Sequence, residues 1–199
     1  MLFEHLGASP RIHPSAVIAP SAVISGDVTI GADVQVLHGA VITAEGGPIT
    51  IGDDVIVMEN ALIRASATDP VHIGDHVLVG PMASVSGATI DREVFLATGT
   101  RVFNGARIGE RSEVRINAVV HLRTVLPAES VVPIGWIAVG DPAQLYPPER
   151  HDEIWATQQE LDFPGYVFGL DRDTPDLMVQ LTERYGRALS RHADDRPLD

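Results

Sequence analysis

The 199-residue sequence contains no cysteine and no lysine. Without cysteine the chain has no disulfide, no thiol nucleophile and no cysteine-ligated zinc site. All 14 basic residues are arginine, so a lysine Schiff base and a phosphate-binding P-loop lysine are excluded too. Aromatic residues make up only 5% of the chain, although 45% of it is hydrophobic. The core must therefore consist mainly of aliphatic side chains.

Positive charge is also scarce. Fourteen arginines stand against 27 acidic residues, and the resulting formal net charge of -13 repels nucleic acid and anionic membranes. No apolar run approaches the ~18 residues of a membrane helix. The N-terminus lacks the basic and apolar regions of a signal peptide. The sequence predicts a cytoplasmic protein without a nucleic-acid or membrane partner.

Aliphatic residues recur at every sixth position, with two insertions and one single-residue slip. These twenty anchors are Ile12, Ile18, Ile24, Ile30, Val36, Ile42, Ile51, Val57, Ile63, Ile73, Val79, Val85, Ile90, Leu96, Val102, Ile108, Val114, Val120, Leu126 and Val132. An α-helix cannot keep a period of six on one face, whereas short strands separated by tight turns can. The pattern resembles the hexapeptide repeat of the left-handed β-helix. This resemblance predicts an all-β solenoid, a left-handed parallel β-helix of six to seven coils with three hexads per coil.

The repeat divides the chain into three parts. We expect an N-terminal segment over residues 1–11, the β-helix over 12–137, and a linker with C-terminal α-helices over 138–199 that packs on the prism or on a neighbouring subunit. Helices are predicted at 149–161 and 174–192. The insertions at 44–48 and 67–70 predict loops that project from corners of the prism. Trp136 is expected to seal the end of the coil stack.

Residues at equal positions in successive coils should lie above one another. One such column contains Ser25, Thr43, Arg64, Ser86, Phe103 and His121. A second contains His38, Glu59, Pro81 and Thr98, so His38 and Glu59 are expected one rung apart. A third contains Asp33, Asp54, His76, Glu93 and Arg111 and predicts a solvated charge ladder.

The order of the irregular segments resembles that of the γ-class carbonic anhydrase family, within the hexapeptide-repeat acyltransferase superfamily. The shared features are an insertion after the Ile42 strand, another after the Ile63 strand, the slip between Val85 and Ile90, and the exit Gly140-Asp141-Pro142-Ala143. The resemblance covers the chain to about Pro148. It implies a homotrimer with a site between subunits, where the family holds zinc with three histidines.

The chain departs from that family at the functional positions. The three zinc-ligand positions fall on Arg64, Pro81 and Ser86, the family's Arg-x-Asp pair on Thr43 and Glu45, and its Gln-Asp pair on Met58 and Glu59. Arginine and proline cannot ligate zinc, and serine is a poor ligand. We therefore expect no metal at these positions and no carbonic anhydrase activity. The fixed charge of Arg64 should replace the cation and pair with Glu45, Glu59 or both.

The remaining polar residues define a candidate site. Arg64, with Thr43, Glu45 and Ser86, is predicted to bind a small carboxylate or an acyl thioester. His38, held by Glu59, is the predicted general base, and His121 is a second candidate. No cofactor is expected beyond a possible coenzyme A thioester. Arginines between positions 101 and 123 could bind its phosphates, although their offsets favour an ion-paired surface.

Three functions stay open on the sequence. The first is an acyltransferase-like enzyme with a zinc-free pocket at the trimer interface. The second is a non-catalytic trimeric scaffold, in which the network around Arg64 only holds the subunits together. The third is a hydratase with its metal bound elsewhere.

Overall fold

The computed structural model describes residues 1–198. They form a left-handed parallel β-helix followed by a C-terminal arm, as the hexapeptide pattern predicts. Three parallel sheets make the faces of the prism. Face A comprises Leu2–Glu4, Val23–Ser25, Val41–Glu45, Leu62–Ser66, Ser84–Ser86, Arg101–Val102, Val119–Val120 and Ile137–Val139. Face B comprises Arg11–Ile12, Val28–Ile30, Ile49–Ile51, Val71–Ile73, Thr89–Ile90, Arg107–Ile108 and Val125–Leu126. Face C comprises Val17–Ile18, Gln35–Val36, Ile56–Val57, Leu78–Val79, Phe95–Leu96, Glu113–Val114 and Val131–Val132.

The anchors stack directly on one another. Ile63, for example, pairs in register with Ile42 on one side and Val85 on the other. Eighteen of the twenty anchors are buried, and only Ile12 and Ile18, in the first coil, are partly exposed. The small residues between anchors point inward as well, because a triangular coil leaves little room for larger ones. Trp136 is partly buried and packs against the same core.

The stack has seven complete coils and one additional strand. Leu2–Glu4 pairs in parallel with Val23–Ser25, so it begins a further coil on face A. The hexad count starts at Ile12 and does not predict this strand, because Leu2–Glu4 lies before the first repeat and has no anchor six residues away that belongs to the pattern.

The predicted charge ladder lies at a corner of the prism. Asp33, Asp54, His76, Glu93 and Arg111 all have positive φ angles, between 55° and 60°. These side chains are exposed, and each turns the chain from face B to face C. Arg111 donates from Nε to Glu129 Oε1, one coil further, over 3.1 Å. The column is thus a solvated ladder along one edge.

Both predicted insertions leave the corner between faces A and B. The face A strands before them, Val41–Glu45 and Leu62–Ser66, are five residues long, whereas most strands have two or three. These two strands pair over their whole length, from Leu62 with Val41 to Ser66 with Glu45. The insertions thereby build a raised edge on face A.

The C-terminal arm returns along the prism. Gln144–Tyr146 pairs antiparallel with Ile137–Val139. Three α-helices follow, α1 (His151–Gln158), α2 (Phe163–Phe168) and α3 (Leu177–Leu189), with 3-10 turns at Gln159–Leu161 and Ser190–Asp194. The strand Arg196–Leu198 then pairs antiparallel with Leu2–Glu4. The arm therefore joins the last coil to the first strand.

The helices at 149–161 and 174–192 are present with shorter bounds, but α2 is not predicted by the sequence analysis. The segment contains Pro164 and Gly165, which suggest a break. Pro164 instead occupies the first turn, where a missing N–H costs nothing, and Asp162 caps the helix by accepting from the Gly165 amide. Among residues 1–198, no helix has the length and apolar character needed to cross a bilayer.

Candidate functional site

A cleft of about 460 Å³ lies where the arm crosses the raised edge of face A. Its solenoid side includes His5, Glu45 and Arg64. Its arm side includes Arg184 and Arg191 together with Tyr166 of α2 and Tyr185 of α3. We call this the arginine cleft. It gathers three arginines and one carboxylate in a chain of net charge -13, so it is locally positive.

Arg64 is held from two sides in the cleft. Its Nη2 lies 3.3 Å from Glu45 Oε1, and its guanidinium lies 5.6 Å from the centre of the Tyr185 ring. Thr43 donates its hydroxyl to the same Glu45 oxygen over 3.2 Å. The Arg64 side chain remains 32% exposed, so part of the guanidinium faces the cleft. This arrangement fixes a cation that can still accept a ligand oxygen.

Glu45 also bonds to the arm. His192 Nε2 lies 3.0 Å from each Glu45 oxygen, and His192 Nδ1 lies 2.8 Å from Asp195 Oδ2. The other Asp195 oxygen lies 2.5 Å from Nδ1 of His5, a buried residue whose ring stacks on that of His192 at 4.4 Å. These four residues form the histidine clasp, which joins the raised edge, the N-terminal strand region and the arm.

The clasp shifts the ionisation of its members. The hydrogen bond with Asp195, supported by Glu45, raises the pKa of His192 above its usual value although partial burial opposes it. Burial would raise the pKa of Asp195, but hydrogen bonds from His192 and His5 hold it below the usual value. Without a metal, the charge pair of an imidazolium and a carboxylate is therefore favoured here.

A second cleft, of about 700 Å³, continues along the corner between faces A and B. Arg107 and Arg123 line it together with the carboxylates of Asp69, Asp141 and Glu160, and Tyr166 lines both clefts. Tyr166 donates its hydroxyl to Asp69 Oδ1 over 2.6 Å and lies 5.7 Å below the Arg123 guanidinium. Burial and this hydrogen bond raise the pKa of Tyr166 to about 12. The tyrosine is thus a neutral wall between two arginine-lined clefts.

The structure brings together three of the four predicted binding residues. Thr43, Glu45 and Arg64 are in contact, and Arg64 pairs with Glu45 but makes no ion pair with Glu59 among residues 1–198. Ser86 lies beside Arg64 in register on the next coil, but it does not line the arginine cleft.

His38 and Glu59 lie elsewhere in the same chain. Both are exposed at the corner between faces C and A, on neighbouring coils. His38 Nδ1 lies 2.7 Å from Ser21 Oγ. Neither side chain lines the arginine cleft within one chain, because the five-residue strand Val41–Glu45 separates this corner from the raised edge.

His121 stands apart from the arginine cleft too. Its ring stacks on Phe103 at 5.7 Å, and Phe103 in turn contacts Phe163 of α2. Burial lowers the pKa of His121, so the imidazole is neutral at pH 7. Its Nδ1 is buried and has no hydrogen-bond partner within residues 1–198.

His5, His192 and Asp195 are the residues that the sequence analysis does not predict. They belong to no repeat, and up to 190 positions separate them in the sequence. Their proximity depends on the return of the arm to the first strand. Each offers one potential metal-ligand atom, and these atoms lie within 4.8 Å of one another.

Comparisons with solved structures support the fold. A hexapeptide transferase family protein from Anaplasma phagocytophilum is 23% identical, with a TM-score of 0.52 over 79% of this chain and 90% of that chain. A UDP-N-acetylglucosamine acyltransferase from Bacteroides fragilis is 18% identical, with a TM-score of 0.54 over 87% and 89%. A mutant N-acyltransferase from Bacillus cereus, solved with dTDP-4-amino-4,6-dideoxyglucose and coenzyme A, is 14% identical, with a TM-score of 0.53 over 74% and 89%. No family model and no curated protein sequence matches the chain. At these identities the likeness is one of fold.

Proposed function

We propose that the protein is an acyltransferase-like enzyme that takes an acyl group from a coenzyme A thioester. The observation that carries the proposal is the arginine cleft, in which Arg64, Arg184 and Arg191 surround a space large enough for a small substrate. Solved proteins with the same fold include acyltransferases, one of them bound to coenzyme A, which supports the choice of reaction.

The two clefts suit the two ends of an acyl-CoA molecule. Arg64 would hold the carboxylate of a substrate or the thioester oxygen, because its guanidinium is fixed but still accessible. Arg107 and Arg123, in the second cleft, would bind phosphates, against the repulsion of Asp69, Asp141 and Glu160, which line the same cleft. Tyr166 lies between them, so a bound coenzyme would pass along its ring.

The reaction would proceed by attack of an acceptor hydroxyl or amine on the thioester carbonyl. The new C–O or C–N bond forms, the C–S bond breaks, and coenzyme A leaves as the thiol after receiving the acceptor's proton through the base. His38 remains our proposed base, but among residues 1–198 its ring is paired with Ser21 and has no hydrogen bond to Glu59, which the sequence analysis predicts to hold it. Because His38 lies at the other edge of face A, the proposal requires the corner of one subunit to meet the arginine cleft of a neighbour.

A homotrimer would provide that arrangement, and face C supports self-association. A groove of about 550 Å³ on this face is lined by apolar residues that include Leu78, Pro81 and Phe95. Ile116 and Ile134 also line the groove and are exposed, at 45% and 63%. Exposed apolar surface of this kind is typical of contacts between copies. Light scattering should give the trimer mass, and Phe95→Glu should lower it.

The test is release of coenzyme A thiol from acetyl-CoA, measured with a thiol reagent in the presence of a panel of carboxylate-bearing acceptors. The cysteine-free chain contributes no background. Arg64→Ala should reduce kcat/KM about 10- to 100-fold, the equivalent of one lost charge-assisted hydrogen bond. His38→Ala should abolish turnover in intact trimers. Arg11→Ala removes only an exposed ion pair with Asp27 and an exposed hydrogen bond to Thr29, and is the control. Unchanged turnover in both cleft and base variants would refute the proposal.

A trimeric scaffold without catalysis is the alternative. It is favoured by the histidine clasp, which uses Glu45, the partner of Arg64, to fasten the arm. In that case no acceptor would support thiol release, and Arg64→Ala would shift the protein from trimer to monomer on a sizing column.

A further inference from the structure

We propose that the histidine clasp is a binding site for a divalent transition-metal ion, with His5, His192 and Asp195 as ligands. Glu45 is not a ligand but hydrogen-bonds to the other ring nitrogen of His192. The inference is independent of the acyltransferase proposal. The proposed ligands differ from Arg64, Pro81 and Ser86, which occupy the positions of the zinc ligands in the γ-class carbonic anhydrase family.

The donor set has the composition of an open metal site. Two imidazoles and one carboxylate bind zinc or iron(II) in proteins, and three protein ligands leave positions for water or substrate. The three donor atoms lie within 4.8 Å of one another. Both Nδ1 atoms approach one Asp195 carboxylate, at 2.5 and 2.8 Å. Donors at ~2.0–2.1 Å from a tetrahedral zinc ion lie ~3.3–3.4 Å apart, so metal binding would lengthen these two contacts by about 0.5–0.9 Å.

Glu45 would orient His192 for a metal. Both its oxygens lie 3.0 Å from His192 Nε2, so a metal that displaces the proton from Nδ1 would leave the remaining imidazole proton on Nε2, hydrogen-bonded to Glu45. A carboxylate on the far nitrogen of a ligating histidine is the usual arrangement at metal sites. Arg64, at 3.3 Å, and Thr43, at 3.2 Å, orient Glu45 in turn.

The surroundings also fit a bound ion. His5 is 3% exposed, and its ring is fixed by stacking on His192. His5 and Glu45 line the arginine cleft, so an ion in the clasp would lie beside that cleft. The ligands come from opposite ends of the chain, so metal binding would fasten the arm to the first strand.

The first test uses the full chain, stripped with a chelator and dialysed. Calorimetric titration with Zn²⁺ should give one ion per chain. Co²⁺ should give the visible absorption of a low-coordinate nitrogen and oxygen site. An anaerobic Fe²⁺ titration in a second arm decides which ion is preferred. Zn²⁺ should also raise the melting temperature, because only the folded chain brings the ligands together.

Variants separate the clasp from adventitious binding. Asp195→Asn and His192→Gln should each remove the stoichiometric Zn²⁺ and the Co²⁺ spectrum, whereas His13→Gln, at an exposed histidine, should leave both intact. Glu45→Gln should keep one ion but weaken its binding about 10- to 100-fold. The proposal is overturned if the folded wild-type chain takes up no Zn²⁺, Co²⁺ or Fe²⁺. It is equally overturned if Asp195→Asn and His192→Gln bind the ion as tightly as the wild type. Thiol release from acetyl-CoA reports on the acyltransferase proposal separately.

Discussion

Truncation of one anchor side chain tests how much the stacked anchors contribute to the stability of the solenoid beneath the arginine cleft. Ile63 lies in the middle of the core, directly before Arg64, and is completely buried between Ile42 and Val85. Ile63→Ala removes three carbon atoms, which costs roughly 2.4 kcal/mol at ~0.8 kcal/mol per buried carbon. The flanking strands are hydrogen-bonded on both sides and cannot collapse into the space, so a cavity penalty raises the expected loss to about 3–4 kcal/mol.

The assay is equilibrium urea unfolding, followed by circular dichroism over a tenfold range of protein concentration to account for subunit association. Ile56→Ala is the matched control, because Ile56 lies on the preceding coil but points outward and is 37% exposed. It should cost no more than about 1.5 kcal/mol, since no closed cavity forms. An Ile63→Ala variant that loses as little as Ile56→Ala would refute the stacked-anchor account.

Three further predictions concern titration and packing. The pKa of Tyr166 is about 12, so a pH titration followed by tyrosinate absorbance should show one step near pH 12 that is absent in Tyr166→Phe. The hydrogen bond from Tyr166 to Asp69 should stabilise the fold below pH 10, and this stabilisation should disappear as the pH rises through about 12. Burial lowers the pKa of His121, so its NMR titration midpoint should lie below 6.5, and stability relative to His121→Gln should fall as the pH drops from about 6.5 towards that midpoint. Gly74→Ala should lower the melting temperature, because its Cβ would lie 2.8 Å from the backbone nitrogen of Arg92 on the next coil.

The repeat made the prism predictable, because burial of each anchor depends only on its place in a local period. Ile42 and Ile63 are examples: six-residue spacing, interrupted by one insertion, suffices to place them on adjacent rungs. The strand Leu2–Glu4 and helix α2 were not predictable in this way. The first has no repeat, and the Pro164-Gly165 pair of the second indicates a turn unless the capping Asp162 is also considered.

The candidate site was only half predictable for the same reason. Thr43, Glu45 and Arg64 share rungs of the solenoid, so counting hexads brings them together. His192 reaches Glu45 through the arm, which follows no period, and 147 positions separate the two residues in the sequence. Long-range contacts of this kind depend on tertiary packing, and no local pattern in the sequence encodes them.

Binding of acetyl-CoA to the arginine cleft is the most direct test of the proposed function. Isothermal titration of the wild-type chain should show one saturable site per chain, and Arg64→Ala should weaken it about 10- to 100-fold while Arg11→Ala leaves it unchanged. Absence of binding to the wild type, or equal affinity in the wild type and Arg64→Ala, would contradict the account.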